Sequence, residues 1–200
     1  SQSRSIEGML RNFTGADITR VGTQSPQRVA ELLAAGQIVG VMRDRAEFGP
    51  RSLGHRSILA NPTDRGMKEK INARVKGREA YRPFAPVVLE EQAADWFHDA
   101  QPSPYMSFAL QWRKAVRERV PAVVHDDGTG RLQTVSRDGA PWMHDLVSAF
   151  GALSGTPVVL NTSFNVMGKP IVHSVEDAIA VFATTGLDAV LIDDLLIRKR

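Results

Sequence analysis

A ten-residue stretch carries the first chemical signal in this chain. Between Asn161 and Pro170 lie Asn161, Thr162, Ser163 and Asn165, followed by Gly168 and Lys169. Small hydroxyl and amide groups beside a glycine offer short donors and acceptors to an anion, which suits a phosphate or a nucleotide. A polar loop that caps the next helix is the plain alternative, and spacing alone does not separate the two. The neighbours fix where the stretch sits. Val158-Val159-Leu160 reads as a buried strand. Ser174, with Glu176 and Asp177 behind it, reads as a helix N-cap with acids in the first turn.

Cations are concentrated upstream. From Arg43 to Arg82 there are 11 Lys and Arg against 5 Asp and Glu, a local excess of six positive charges; the rest of the chain has 14 against 17. A basic segment in a near-neutral protein points to an anionic ligand, a small phosphate compound or a nucleic acid, although most charge runs are solvated faces. Glycine, proline and apolar residues interrupt this one, unlike a basic tail. Within it, Glu47 to Ile58 holds Arg51, His55 and Arg56 among turns forced by Gly49, Pro50 and Gly54. Arginine presents a planar fork of donors that matches phosphate oxygens, and His55 reads as a hydrogen-bonded loop residue. Asp64 is suited to cap a helix with Met67, Ile71 and Val75 on its apolar side. That helix delivers Lys76-Gly77-Arg78 and then Arg82-Pro83, although cations near a helix C-terminus are also ordinary dipole partners.

A third polar cluster runs from His125 to Val135. Asp126-Asp127-Gly128 reads as a turn; a carboxylate pair able to hold magnesium is the less common explanation. Arg131, Gln133 and Val135 would share one face of the strand that follows.

The totals exclude several classes. With 42% hydrophobic and 24% charged residues in 200, the chain is an ordinary globular domain, long enough for a substantial core. It has no cysteine, so disulfides, zinc–thiolate sites and cysteine nucleophiles are out, and its five histidines show no ligand spacing. No apolar run reaches membrane-spanning length and no signal peptide opens the chain, so a cytoplasmic location is expected. Because the chain opens Ser-Gln-Ser, it is read as a fragment of a longer protein or as a processed form.

The remaining elements must position these clusters. Residues 1–24 read as a lead-in or interdomain linker, and 25–200 as the domain. Ser25-Pro26 looks like an N-cap followed by a first-turn proline, and Gly36 is a stop. Gln37 to Met42 and Phe84 to Leu89 read as strands, Glu90 to Phe97 as a short helix and Ser107 to Gln111 as a strand. Met143, Leu146, Val147, Phe150 and Leu153 form a helical core stripe that Gly155 ends. Ala178, Ile179 and Phe182 line a last helix before two terminal strands. Helices and strands interleave without a strict βαβ rhythm, which predicts an α/β domain with a mixed, twisted sheet flanked by helices.

Lys76-Gly77-Arg78 and Ser163-Phe164-Asn165, in this order, resemble the signature of the YrdC/Sua5 nucleotide-binding fold. The chain resembles more closely the C-terminal, YrdC-like domain of the O-carbamoyltransferases, the family of nodulation-factor, cephem and aminoglycoside carbamoylation enzymes. The blocks Glu47 to Ala60, Ile71-Asn72, Arg82 to Pro86, His125 to Val135 and Val159 to Asn165 carry the resemblance, which covers Gly36 to Lys199.

The resemblance implies a YrdC-like fold that makes carbamoyladenylate from carbamoyl phosphate and ATP, with magnesium on the ATP phosphates and no dedicated protein metal ligands. It also implies a Kae1-like partner domain, absent from this chain, that carries iron and passes the carbamoyl group to a hydroxyl. By motif matching, Lys76, Arg82, Arg51 and Arg131 contact carbamoyl and phosphate groups. Ser163 and Asn161 hydrogen-bond the adenylate or carbamoyl moiety. Thr162, Asn165, Arg78 and Arg56 complete the nucleotide-binding set. Neither Lys76 nor Ser163 is expected to be a core position.

Three rivals stand beside this reading. A threonylcarbamoyl-adenylate synthase of tRNA modification shares the Lys-x-Arg and Ser-x-Asn pair but not the Glu47 to Ala60 block. A nucleic-acid-binding module would want aromatic platforms, and the basic stretch has only Phe48 and Tyr81. A docking module would bind no ATP. Homo-oligomerisation is left open, and no nucleic-acid or membrane partner is expected.

Overall fold

The computed structural model describes Ile6, Gly8 and residues 15–79 and 82–200. Tyr81, and most of the segment before Gly15, lie outside the described residues. Nine strands form one mixed sheet: β1 (Ala16–Arg20), β2 (Val39–Met42), β3 (Arg56–Ala60), β4 (Ala85–Leu89), β5 (Phe108–Gln111), β6 (Thr129–Val135), β7 (Val158–Ser163), β8 (Ala189–Ile192) and β9 (Leu195–Lys199). Their order is β1-β9-β8-β2-β3-β7-β4-β6-β5. The β2–β8 and β4–β6 pairs are parallel and the others antiparallel.

Period-two alternation divides the strand residues between two cores, one on each face of the sheet. Val39, Val41, Leu59, Val87, Val159 and Leu191 point to one face, where α1 (Ser25–Ala34) and α4 (Pro141–Ser154) cover them with Val29, Leu33, Leu146 and Phe150. Ile58, Ala60, Val88, Leu160 and Val190 point to the other. There α2 (Met67–Ile71), α3 (Ala93–Trp96) and α5 (Val175–Thr184) cover them with Met67, Ile71, Trp96 and Phe182. Since the central strands are buried on both faces, they read as unbroken apolar runs.

Several expectations change on contact with the structure. Ala16–Arg20, inside the segment read as a lead-in, is an edge strand paired with β9. Arg56 to Ile58, read as part of a turn, begins β3. Ser25 does not cap α1; Gln24 holds that place, and the Ser25 hydroxyl instead accepts a bond of 2.8 Å from Trp142 Nε1. The helix after Asp64 has only five α-residues, then widens into a π-turn over Asn72–Lys76. Glu90 to Phe97 is a 3₁₀ turn followed by the single turn of α3. Ser174 does cap α5, in a reciprocal box with Asp177.

Candidate functional site

The polar clusters converge on one end of the central strands. Strand β7 runs antiparallel to β3 and β4, so its last residues, Asn161 to Ser163, lie beside the first residues of both neighbours. A cavity of about 350 Å³ opens there. Arg51 and Ser52 line it from the loop before β3, Arg78 and Arg82 from the segment before β4, His125 from the turn before β6 and Arg131 from the start of that strand. Phe84 and Met106 add apolar wall, and Asn161, Thr162 and Ser163 form the β7 side.

Three local devices hold these groups. First, Glu47 Oε1 accepts three backbone N–H bonds, from Leu53 at 2.6 Å, His55 at 2.7 Å and Arg56 at 3.2 Å. One carboxylate oxygen thus gathers the loop that carries Arg51 and Ser52. Second, Gly77 caps the π-turn in the left-handed region, φ 62°, which costs a residue with a Cβ about 1 kcal/mol. This reversal separates its neighbours: Lys76 turns into the protein, while Arg78 reaches the cavity over the Phe84 ring at 5.1 Å. Third, Phe164 is fully buried against Gly40, where an added Cβ would lie 2.7 Å from the ring. Its neighbour Ser163 is anchored by that contact.

Lys76 is 2% exposed, so the expectation that it lies outside the core is wrong. Its ammonium donates to the Ser163 carbonyl, to Ser163 Oγ at 3.3 Å and to Asn165 Oδ1 at 2.7 Å, three acceptors for three protons. Burial, and then the nearby Arg78 guanidinium, pull its pKa down to about 7. Ser163 Oγ donates to the same Asn165 oxygen at 2.7 Å. Lys76 and Asn165 thus lie behind Ser163 and set its orientation, while Ser163 itself faces the cavity.

The cavity is electrostatically one-sided. Burial, then repulsion from Arg82, lowers the Arg78 pKa; burial, then repulsion from Arg51, lowers that of Arg131. Among the described residues none of these four guanidiniums forms a salt bridge with a carboxylate. Only Glu79, acting on Arg78 without an ion pair, opposes this; like charges held together in this way are relieved by an anionic ligand.

Orphaned polar atoms add to this. Ser52 Oγ, His125 Nε2 and Asn161 Oδ1 are buried with no hydrogen-bond partner, and all three residues line the cavity. The amide hydrogens of Asn161 are committed to Ser52 O at 2.9 Å and Gln133 Oε1 at 2.8 Å. Gln133 is oriented in turn by its bond to Leu53 O at 2.9 Å.

Of the residues picked from sequence, Arg51, Arg78, Arg82, Arg131, Asn161, Thr162 and Ser163 meet at this cavity, with Lys76 and Asn165 directly behind it. Arg56 does not belong to it. Its guanidinium donates to the carbonyls of Arg43 at 2.7 Å, His55 at 2.9 Å and Asp44 at 3.0 Å, and it lines a different cavity beside His173 and Asp193. Its role is to tie β3 to the end of β2. Asp126 and Asp127 make a turn, as expected: Asp127 Oδ1 accepts from Thr129 N at 2.9 Å and Thr129 Oγ1 at 2.7 Å. No cluster of three or more metal-ligating side chains occurs among the described residues, and no helix among them is long and apolar enough to cross a membrane.

Ser52 and His125 were missed as individual site residues. Both sit in blocks that resemble the family, but a serine in a turn and a histidine before an aspartate pair carry no signal of their own. Burial lowers the His125 pKa, with Arg131 and Lys68 acting the same way and Asp127 and the Phe84 carbonyl opposing.

The family model of the carbamoyltransferase C-terminus matches residues 30–199. Nodulation protein NolNO of Sinorhizobium fredii is 48% identical over 176 residues, 86% of this chain and 26% of that protein. The chain therefore spans about a quarter of that relative's length. Among solved structures, full-length HypF in its phosphate- and nucleotide-bound form superposes with a TM-score of 0.55 at 19% identity, over 94% of this chain and 23% of that one. P. abyssi Sua5 complexed with L-threonine gives 0.57 at 15% identity, over 88% and 48%. At these identities the structural likenesses speak for the fold alone, which is α/β and YrdC-like. With the family model running from α1 to the last strand, the chain belongs to the carbamoyltransferase C-terminal family.

Proposed function

We propose that this domain forms carbamoyladenylate from carbamoyl phosphate and ATP, as the adenylating half of an O-carbamoyltransferase acting on a small-molecule or sugar hydroxyl. The observation that carries the reading is the cavity with four guanidiniums, no paired carboxylate and Ser163 at its floor. Both substrates are polyanions, and bringing them together in water is repulsive. Fixed cations neutralise phosphoryl oxygens as charge redistributes, and they do so without reorganising at the moment of reaction.

Water first cleaves carbamoyl phosphate to carbamate and inorganic phosphate. A carbamate oxygen then bonds to the α-phosphorus of ATP while the bond to the bridging oxygen breaks, and pyrophosphate leaves with that electron pair. No side chain has to remove a proton in the second step, since carbamate is already an anion. Arg51, Arg82 and Arg131, with Arg78, hold phosphoryl oxygens. Ser163 lies against the ligand, its hydroxyl hydrogen held by Asn165 and its Oγ by Lys76, which leaves one Oγ lone pair for a ligand donor. Removing one of these cations would raise the barrier by about 3 kcal/mol, as for a lost oxyanion donor. Magnesium enters with ATP. A Kae1-like domain, carrying iron, would receive the adenylate and complete the transfer, and the reaction would take place in the cytoplasm.

The test is pyrophosphate release by this chain with ATP and magnesium, with and without carbamoyl phosphate. Release that depends on carbamoyl phosphate supports the reading. Release that instead needs threonine and bicarbonate replaces it with threonylcarbamoyl-adenylate synthesis. ATP binding without turnover would assign the chemistry to the domain together with its partner. No ATP binding would leave only a docking module.

A further inference from the structure

Apolar surface is out of place in a cavity walled by four guanidiniums, yet some is built into this one. Among the described residues, Ala85 and Met106 are the buried apolar side chains that belong to neither core, each 8% exposed. Both line the cavity. Phe84 lines it as well, but the Arg78 guanidinium already lies over its ring at 5.1 Å. Pro50 and Pro83 only flank Arg51 and Arg82 along the chain. Met106 is thus the one flexible apolar side chain of the wall.

A bulge delivers it. Phe108 of β5 lies opposite Leu132 of β6, and the same antiparallel register carried further would set Met106 opposite Thr134. The Thr134 N–H instead reaches the Ser103 carbonyl at 3.0 Å. Ser103, 1% exposed, is locked there: its N–H donates to Thr134 Oγ1 at 2.8 Å and its hydroxyl to the Leu132 carbonyl at 2.9 Å. Pro104 to Met106 are therefore looped out of the ladder, and bulges of this kind re-aim side chains beside binding sites. The loop closes with Met106 at φ 57°, in the left-handed region. Glycine takes that conformation without penalty, and a long side chain does not. A strained backbone that holds a buried thioether against a cavity, outside either core, is a placement that a ligand would repay.

Carbamoyl phosphate and a triphosphate chain are nearly all oxygen at their surfaces and gain nothing from such a wall. The purine of ATP has flat apolar faces, and a polarisable thioether packs well against a ring. We propose that Met106 forms the base subsite of this cavity, its side chain lying against the purine while the arginines hold the phosphates. The inference rests on the nucleotide reading above and refines it, because the guanidiniums and Ser163 account for the anionic part of the ligand and leave the base without a wall. A methionine reads an apolar face and forms no directed hydrogen bonds with ring substituents. It therefore favours a nucleotide over a sugar phosphate far more than it favours one purine over another. Ser103 is the positioning residue, since its three bonds to β6 fix where the loop leaves the ladder.

AMP and ribose 5-phosphate share a phosphate and a sugar and differ in the base. Calorimetry on this chain is expected to show AMP binding about tenfold or more tightly. In Met106→Gly that ratio should fall about tenfold, with affinity for ribose 5-phosphate and for inorganic phosphate changed by less than about twofold; a merely structural role would weaken all three ligands alike. Glycine suits the left-handed backbone, and the side chain it removes belongs to neither core. Met106→Leu, which restores an apolar side chain, should recover most of the ratio. Methyl NMR of the unaltered protein supplies an arm that does not depend on how the glycine variant folds. The Met106 methyl resonance, assigned by its loss in Met106→Leu, should move with AMP under the ring current of the base and stay in place with ribose 5-phosphate. Equal binding of AMP and ribose 5-phosphate, an unchanged ratio in Met106→Gly, or a methyl resonance that answers both ligands alike or neither would each overturn the inference while leaving an anion site intact. Failure of AMP, ribose 5-phosphate and inorganic phosphate all to bind would remove the proposed function along with it.

Discussion

Lys76 makes a quantitative prediction. Its folded-state pKa is about 7, against an ordinary lysine value of 10.5 that the unfolded chain would have. Between those values the unfolded state binds more protons than the folded one, so this residue makes stability rise with pH, most steeply by about 1.4 kcal/mol per unit. Integrated from pH 7.5 to 9, the two pKa values give a gain of about 2 kcal/mol. Below pH 7 the cost of burying the charge is present in full, and above 10.5 it vanishes. Lys76→Met removes the titrating group and keeps most of the stem. Urea unfolding of both proteins across this window should give curves that diverge by about 2 kcal/mol, whatever the offset from the lost hydrogen bonds; other titrating groups cancel in the difference. A ligand adds a second arm. An anion in the cavity would raise the Lys76 pKa, so ATP binding at pH 8 should take up close to one proton per site, read from calorimetry in buffers of different ionisation enthalpy. Parallel stability curves, together with proton-neutral binding, would show that Lys76 is held fully charged by its three acceptors and would refute the reasoning.

Three further perturbations test the site's supports. Ser163→Ala should lower carbamoyl-phosphate-dependent pyrophosphate release about a hundredfold while costing only about 1 kcal/mol of stability, since it removes one hydroxyl and leaves Lys76 and Asn165 bonded to each other; full activity would remove Ser163 from the reaction. Glu47→Ala leaves three backbone N–H groups without their acceptor and should cost about 2 kcal/mol, with ATP affinity falling as Arg51 loses its anchor; unchanged affinity in a titration would detach that loop from binding. Gly40→Ala drives a methyl group to 2.7 Å from the Phe164 ring and should cost about 1–3 kcal/mol, with a larger loss of turnover than of phosphate binding because Ser163 shifts with its neighbour. A melting temperature equal to the parent's would contradict that packing argument.

The clusters could be read from sequence because their chemistry is local: turns forced by Gly49, Pro50 and Gly54, small polar groups at the end of a strand, a Lys-x-Arg at a helix end. What could not be read depends on contacts far along the chain. Lys76 looks like a solvated helix-end cation, and its acceptors in Ser163 and Asn165 lie nearly ninety positions away. Arg51 and Arg56 look equivalent in one loop. The β3 ladder starts at Arg56, paired with Met42, and that register sends its guanidinium to carbonyls instead of the cavity. β1 was missed because an edge strand buries little: Ala16 is its only buried residue, so alternation left a faint trace.

The pairing of β1 with β9 bears on how the domain is assembled. Ile18 lies against Ile197, and the Arg200 N–H reaches the Gly15 carbonyl at 3.2 Å. β8 and β9 can form as a local hairpin, but β1 waits until almost the whole domain has been synthesised. Such long-range closure slows folding, since loop entropy is lost before the contact repays it. A ribosome that stopped before Leu195 would release a chain with β1 unpaired and the edge of β8 open, two bare templates for strand addition between molecules. Premature termination before the end of this domain should therefore yield aggregate, not a slightly shorter domain.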